Sequence, residues 1–330
     1  MTTVVTGGAG YIGSNLVAAL LADGHTVRVV DLREPVTAAR LGATWIRADV
    51  RDPVAMRAAF DGADVVYHLA AIISIVGGLG GLVHSVNVDG VVVVAEAALA
   101  AGCRRMVHCS SIHAFDLSRC VGRTVDESSP RSTNVRLPAY DRSKAAGEAE
   151  LRRIIDRGLD AVSVNPTAVI GPIDESPSRM GAVLLALWRR RLPAVVAGGF
   201  DWVDVRDVVG ALRAAADRGR CGESYLVAGH RLGLPTLARM AATCSATPVT
   251  RLVAPRWLVQ ASSPLATALA RRTGSSLLAT REALLALDAF PHVDTGKAAI
   301  ELGHRPRPIE DTLGALHRYF IEIGRLQRES

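Results

Sequence analysis

Residues 4–15 read Val4-Val5-Thr6-Gly7-Gly8-Ala9-Gly10-Tyr11-Ile12-Gly13-Ser14-Asn15, and this stretch decides the fold. An apolar run from Thr3 to Thr6 precedes the glycines, and Leu16 to Leu21 continues with helical apolar spacing. The pattern is strand, glycine turn, helix. Two glycine registers overlap, Gly7-x-x-Gly10-x-x-Gly13 and Gly8-x-Gly10-x-x-Gly13. Such a turn needs residues without Cβ for tight backbone, for close approach to a pyrophosphate and for packing of helix on strand. The amides opening the helix then face the phosphates with the helix dipole behind them. A glycine triplet alone equally describes a mobile turn. Here the strand, the helix and the acid Asp31 at the end of the next strand stand where dinucleotide binding requires them.

Around this stretch, 330 residues suffice for a large core, expected as one major domain with a smaller lobe. Apolar residues make up 49% and charged residues 21%. The sequence shows no 18-residue apolar run, so no membrane span is expected. The N-terminus enters the first strand at once, leaving no room for a signal peptide, and a cytoplasmic location is expected. The cysteines Cys103, Cys109, Cys120, Cys221 and Cys244 have no Cys-x-x-Cys spacing and read as reduced thiols, with no metal site. A net charge of +6 raises nucleic acid as a partner. The basic residues are nearly all arginines scattered along the chain, and aromatics are 4%, so no nucleic-acid partner is expected. Only Lys144 and Lys297 are lysines.

In chain order, strands are expected at Thr26–Asp31, Thr44–Ala48, Val65–Leu69, Arg105–Cys109 and Leu159–Val164, and Ser224–Val227 is a further candidate. Helices are expected at 85–101 and from Pro138 to Asp156. Between them, 72–83 and 119–137 read as loops. Strands alternating with helices imply a doubly wound parallel α/β sheet of Rossmann type, covered on both faces. The boundary is placed at 1–165 for the nucleotide-binding domain, to which later segments can return. Residues 166–330 form a smaller, mostly helical substrate lobe, helical by spacing through 234–320.

Asp31 can accept both ribose hydroxyls of an adenosine and repels a 2′-phosphate, favouring NAD over NADP. Arg33 is the counter-argument, since a guanidinium there accommodates that phosphate. Tyr140 and Lys144 lie four apart and share a helix face. In isolation, a packing tyrosine and a surface charge describe them as well.

Thr6-Gly7-x-x-Gly10-x-x-Gly13, Asp31, Asp49, His68-Leu69-Ala70-Ala71, Asn87, Ser110-Ser111, Tyr140-x-x-x-Lys144, Asn165-Pro166 and Glu301-Leu302-Gly303-His304-Arg305-Pro306 occur in this order. Together they resemble the extended short-chain dehydrogenase/reductase superfamily over essentially the whole chain. The resemblance implies cofactor contacts from Gly7, Gly10, Tyr11, Ile12, Gly13, Asp31, Leu69, Ala70, Ala71, Tyr140, Lys144 and Pro166, and adenine contacts from Asp49 and Val50. It implies Ser111, Tyr140 and Lys144 as the catalytic set, and pairing of two copies through 85–101 and 140–156. Val91 to Val94, Ala97, Ala98, Ala145, Ala146 and Ala149 supply apolar surface for such a homodimer.

The chemistry agrees with that set. A phenol titrating near 10 is a poor base at neutral pH, and a nearby ammonium brings it toward working range. Ser111 would hold the substrate oxygen. For a small-molecule substrate the signals are thinner, with His113 and Asn165 as candidate contacts. Phe200 stands where sugar-nucleotide enzymes of the superfamily often carry a diphosphate-binding arginine, and Ile112-His113 stand where dehydratases place an acid. The run 165–172 resembles the dihydroflavonol-reductase and 3β-hydroxysteroid-dehydrogenase branches. An NAD-linked ketone/alcohol oxidoreductase is therefore expected, with a nucleotide-sugar epimerase/dehydratase or a non-catalytic NAD-binding sensor or scaffold as alternatives.

Overall fold

The computed structural model describes residues 1–35, 39–75, 77–192, 194–245, 250, 252–255 and 291–327. The main strands are β1 (Thr2–Thr6), β2 (Thr26–Val30), β3 (Thr44–Ile46), β4 (Val65–His68), β5 (Arg105–Cys109), β6 (Ala161–Pro166), β7 (Ala168–Ile170), β8 (Gly199–Asp204), β9 (Ser224–Val227) and β10 (His230–Gly233). The main helices are α1 (Tyr11–Ala22), α2 (Pro53–Phe60), α3 (Gly90–Ala100), α4 (Ala139–Ile155), α5 (Arg179–Trp188), α6 (Val205–Arg218), α7 (Leu234–Ser245), α8 (Gly296–Leu302) and α9 (Ile309–Glu322).

Seven parallel strands lie in the order β9-β6-β5-β4-β1-β2-β3. Every residue of β4 and β6 is buried, which explains why such strands read as unbroken apolar runs and not as alternating ones. Helices cover both faces. On one, Leu16, Leu20, Val208, Leu212 and Leu302 pack against Val5, Val29 and Val164. On the other, Met56, Phe60, Val94, Leu151 and Ile154 pack against Val4, Val66 and Met106. Chain past residue 165 takes part: β9 pairs with β6, and α6 and α8 belong to the first of these cores. A third core joins α5, α7 and α9 to the small sheet β10-β8-β7 and forms the second lobe. The expected helices across 256–290 lie outside the described residues.

The chain winds from β1 outward through β2 to β3, then returns to lay β4 on the other side of β1. That reversal opens a crevice at the carboxyl ends of β1 and β4, where Thr6 lies opposite His68.

Two expectations change. Among the described residues one helical run, Leu79–Ala100, is long and apolar enough to cross a membrane, although half of its apolar window is buried inside this protein. It begins within the stretch expected to be loop. The apolar surface assigned to pairing is also partly consumed: Val91, Val94, Ala97, Ala98 and Ala145 are buried in the chain's own core. Val92, Val93, Ala146 and Ala149 remain at least partly exposed.

The loop from β7 to α5 closes over α1. Tyr11 Oη donates to the Gly171 carbonyl at 2.8 Å, and Asn15 Nδ2 to that of Pro172 at 3.1 Å. Asp174 accepts from the Ser178 amide at 2.7 Å and is 1% exposed. Burial raises its carboxyl to about 6 despite the Ser178 bonds that lower it. A raised carboxylate contributes stability below its unfolded value that is lost as pH climbs through the folded one. Asp174→Asn is therefore expected to gain on wild type between pH 4 and 7, by up to about 3 kcal/mol. Thermal melts of both proteins at the two pH values check it, and an unchanging gap would contradict it.

Candidate active site

Gly7 has φ +71, and a Cβ there would stand 2.5 Å from the Ala70 amide nitrogen. A Cβ on Gly13 would stand 2.3 Å from the Gly7 carbonyl oxygen. The loop is thus closed against β4's exit and α1's first turn, and only bare backbone fits. Gly10 caps α1 without any side-chain bond, so no side chain occupies the amides that open the helix. Asp31 reaches across to this loop: Oδ2 accepts from the Ala9 amide at 3.0 Å. Arg33 leans over the same point, 3.4 Å from the Ala9 carbonyl. Leu69, Ala70 and Ala71 lie half-buried under the loop, with Tyr11 and Ile12 on its helix side. A cradle that any Cβ would fill, a free helix N-terminus and an acid at the far end fit a dinucleotide.

Two expected adenine contacts are differently engaged. Asp49 is clasped by Arg51, whose Nη2 lies 2.6 Å from Oδ2, and this bond holds its carboxyl below the ordinary range. Val50 is buried in the core beside Gly90, so its side chain faces the protein interior. Pro166 is likewise buried, at the end of β6.

β5 ends at Cys109 and delivers Ser110 and Ser111 to the crevice. Ser111 Oγ accepts from the His113 amide at 3.2 Å, capping a single helical turn. α4 brings Tyr140 and Lys144 to the same place. Asn87 fastens α4 there, donating to Ser143 Oγ at 2.9 Å and bonding both backbone groups of Ile72. Tyr140 is 8% exposed and Lys144 4%. Burial pushes the phenol well above 10, and the Ser111 hydroxyl draws it partly back. The sequence assigns that pull to Lys144. Its ammonium is instead committed to the Cys109 carbonyl at 3.1 Å, and burial lowers its own affinity for the proton. Beneath it, His68 and His108 stack with ring centres 5.4 Å apart. Burial, then the charge of Lys144, brings His68 down to about 3, so it is neutral.

His113 stands with its ring 5.7 Å from that of Tyr140, edge to face, and its Nδ1 lies 3.2 Å from Asp141 Oδ1. Burial disfavours its charge, but Asp141 outweighs burial and raises it above the ordinary value. Asn165 is not where a substrate contact would be. It is fully buried, and its amide donates to the Ser111 carbonyl at 3.0 Å and to Glu148 Oε1 at 2.6 Å.

Residues 3–228 match the model of the NAD dependent epimerase/dehydratase family. The chain belongs to that family. It is therefore an enzyme of the NAD(P)-dependent kind, which sets aside the non-catalytic reading. Sterol demethylase protein B of Methylococcus capsulatus is 37% identical over 278 residues, covering 82% of this chain and 83% of that protein. A UDP-glucose 4-epimerase of Mycolicibacterium smegmatis is 34% identical over 253 residues, covering 69% and 77%. Among solved structures, that of gox2253 superposes with a TM-score of 0.84 at 30% identity, covering 99% of each chain.

Within this family site, Glu148, Arg131 and Asp141 went unrecognised from the sequence. Glu148 follows Lys144 by four residues, as Lys144 follows Tyr140, so helical spacing alone could have flagged it. Arg131 and Asp141 carry no comparable signal.

Proposed function

We propose that this enzyme is an NAD-linked oxidoreductase that interconverts an apolar ketone and its secondary alcohol. The observation that carries the reading is the convergence of Ser111 and Tyr140, a buried hydroxyl pair, just past the carboxyl end of β5, beside β4. Bound NAD supplies hydride exchange at the nicotinamide. As the phenol, Tyr140 donates a proton to the substrate oxygen in reduction; as the phenolate that this leaves, it takes the proton from the alcohol in oxidation. Ser111 hydrogen-bonds the same oxygen. Lys144 anchors α4 to the Cys109 carbonyl and places positive charge under the site.

Two features favour an apolar substrate over a sugar nucleotide. Phe200 packs edge-on against the buried Trp202 with centres 5.3 Å apart, so an aromatic ring stands where a diphosphate-binding arginine would be needed. Neither Ile112 nor His113 supplies a dehydratase acid next to Ser111. The sterol-named relative points the same way, and the epimerase relative keeps the other reaction in view. An epimerase reoxidises its cofactor in place and retains it. Purified protein is expected here to exchange its cofactor freely with added NAD, and retention through many turnovers would favour epimerisation.

For cofactor choice we propose NAD, set by the Asp31 carboxylate. Asp31→Ala is expected to cut the preference for NAD over NADP by about tenfold or more, worth about 1.4 kcal/mol. Calorimetric titration of both cofactors measures it. Tighter NADP binding in the wild type would assign the site to Arg33.

A further inference from the structure

Glu148 sits on α4 two helical steps beyond Tyr140 and one beyond Lys144, on their face, with its side chain 9% exposed. A carboxylate so buried is held only if its partners are good. Its two oxygens face different directions. Oε1 accepts from Asn165 Nδ2 at 2.6 Å, and Oε2 lies 2.8 Å from Arg131 Nη1.

Each partner continues to the segment that carries Ser111. The second N–H of Asn165 goes to the Ser111 carbonyl at 3.0 Å. Because both of its partners are pure acceptors, the amide has one workable orientation. Arg131 lays its guanidinium 4.0 Å over the Phe115 ring and forms an isolated bridge with that residue's backbone. The flanking backbone is tied as well, Ser132 N to the Ala114 carbonyl at 2.9 Å and Asp116 N to that of Pro130 at 2.7 Å. The segment 111–116 is therefore held at its start by a carbonyl and at its end by a ring, and both lines meet on one side chain.

We propose that Glu148 is a positioning residue that clamps the Ser111 segment onto the helix bearing Tyr140 and Lys144, setting the spacing between the two halves of the site. The assignment of those halves as catalytic rests on the function proposed above; the clamp itself is a matter of geometry. Its charge has a second effect: it offsets part of the burial that disfavours protonated Lys144. A purely stabilising ion pair would hold α4 in place and leave Ser111 indifferent to its loss.

Glu148→Gln is the informative variant. It keeps the size and an oxygen for Asn165 but removes the charge that pairs with Arg131. Because Lys144 and Lys297 are the only lysines, lysine-selective isotope labelling gives two side-chain NMR signals. Lys297, which pairs with Glu223 at 2.6 Å and donates to the Ser224 carbonyl at 2.7 Å, gives the second signal. In Glu148→Gln the titration midpoint of Lys144 is expected to move down, and further than that of Lys297. With an apolar ketone, turnover is expected to fall about 10- to 100-fold, the usual consequence of a displaced catalytic group, with NAD affinity little changed. If Glu148→Gln does not fold, Arg131→Met is the second variant. It should lose turnover likewise and move the Lys144 midpoint up, because Glu148 is then no longer neutralised. An unmoved Lys144 midpoint, or wild-type turnover per folded molecule, overturns the clamp. Should the wild type turn over no ketone or alcohol, the backbone amide NMR shifts of Ser111 and His113 still decide the clamp: they are expected to move in Glu148→Gln, and unmoved shifts overturn it, so the two readings fail separately.

Discussion

Tyr140→Phe is expected to lower turnover by about 10²–10⁴-fold, the range lost with a general acid–base group. The ring that packs beside His113 is retained and only the buried hydroxyl goes, so folding and NAD affinity should be nearly unchanged. Lys144→Ala is expected to cost a similar factor by a different route. It removes the bond to the Cys109 carbonyl and the one ammonium under the site. If both act in one step, the double variant should be little worse than either single. Steady-state kinetics on the four proteins measure this. Additive losses would mean that Lys144 works independently of the phenol.

Gly7→Ala should have the largest effect on the cofactor. A left-handed backbone costs an alanine about 1–2 kcal/mol. The added Cβ would also fall 2.5 Å from backbone that β4 cannot easily yield. The loop must then open where it faces the phosphates. NAD affinity is expected to fall by about 10- to 100-fold, or about 1.4–2.8 kcal/mol, together with a lower Tm. Gly24→Ala is the control. It has φ +79 but nothing within 4 Å of a Cβ, so it should lose a little stability and no affinity. Equal losses of affinity from both substitutions would remove the cradle from the account.

The parts legible in the sequence were those fixed by local chemistry. The glycine turn, Asp31 and the pair Tyr140 and Lys144 are each set by spacing within one or two elements, and the structure brings them to one crevice. What escaped depended on contacts between distant segments. Asn165 faces Glu148 and the Ser111 carbonyl because β6 passes under α4, and no local pattern tells which way a buried amide turns. The Asp49 carboxylate turns to Arg51, two residues on, because a guanidinium within reach outcompetes an open position. The return of 224–227 to the large sheet was visible only as a short apolar run, whose partner β6 lies some sixty residues earlier.

The central claim is that Ser111, Tyr140 and Lys144 exchange a proton with an apolar alcohol or ketone while NAD exchanges the hydride. The most direct measurement is absorbance of the reduced-cofactor band after mixing enzyme, excess NAD and an apolar ring-bearing secondary alcohol. The band is expected to grow past one equivalent per enzyme in the wild type and to stay flat in Tyr140→Phe. Equal growth in both proteins would contradict it. So would a wild type that leaves the band flat with every such alcohol while converting a nucleotide sugar to its epimer.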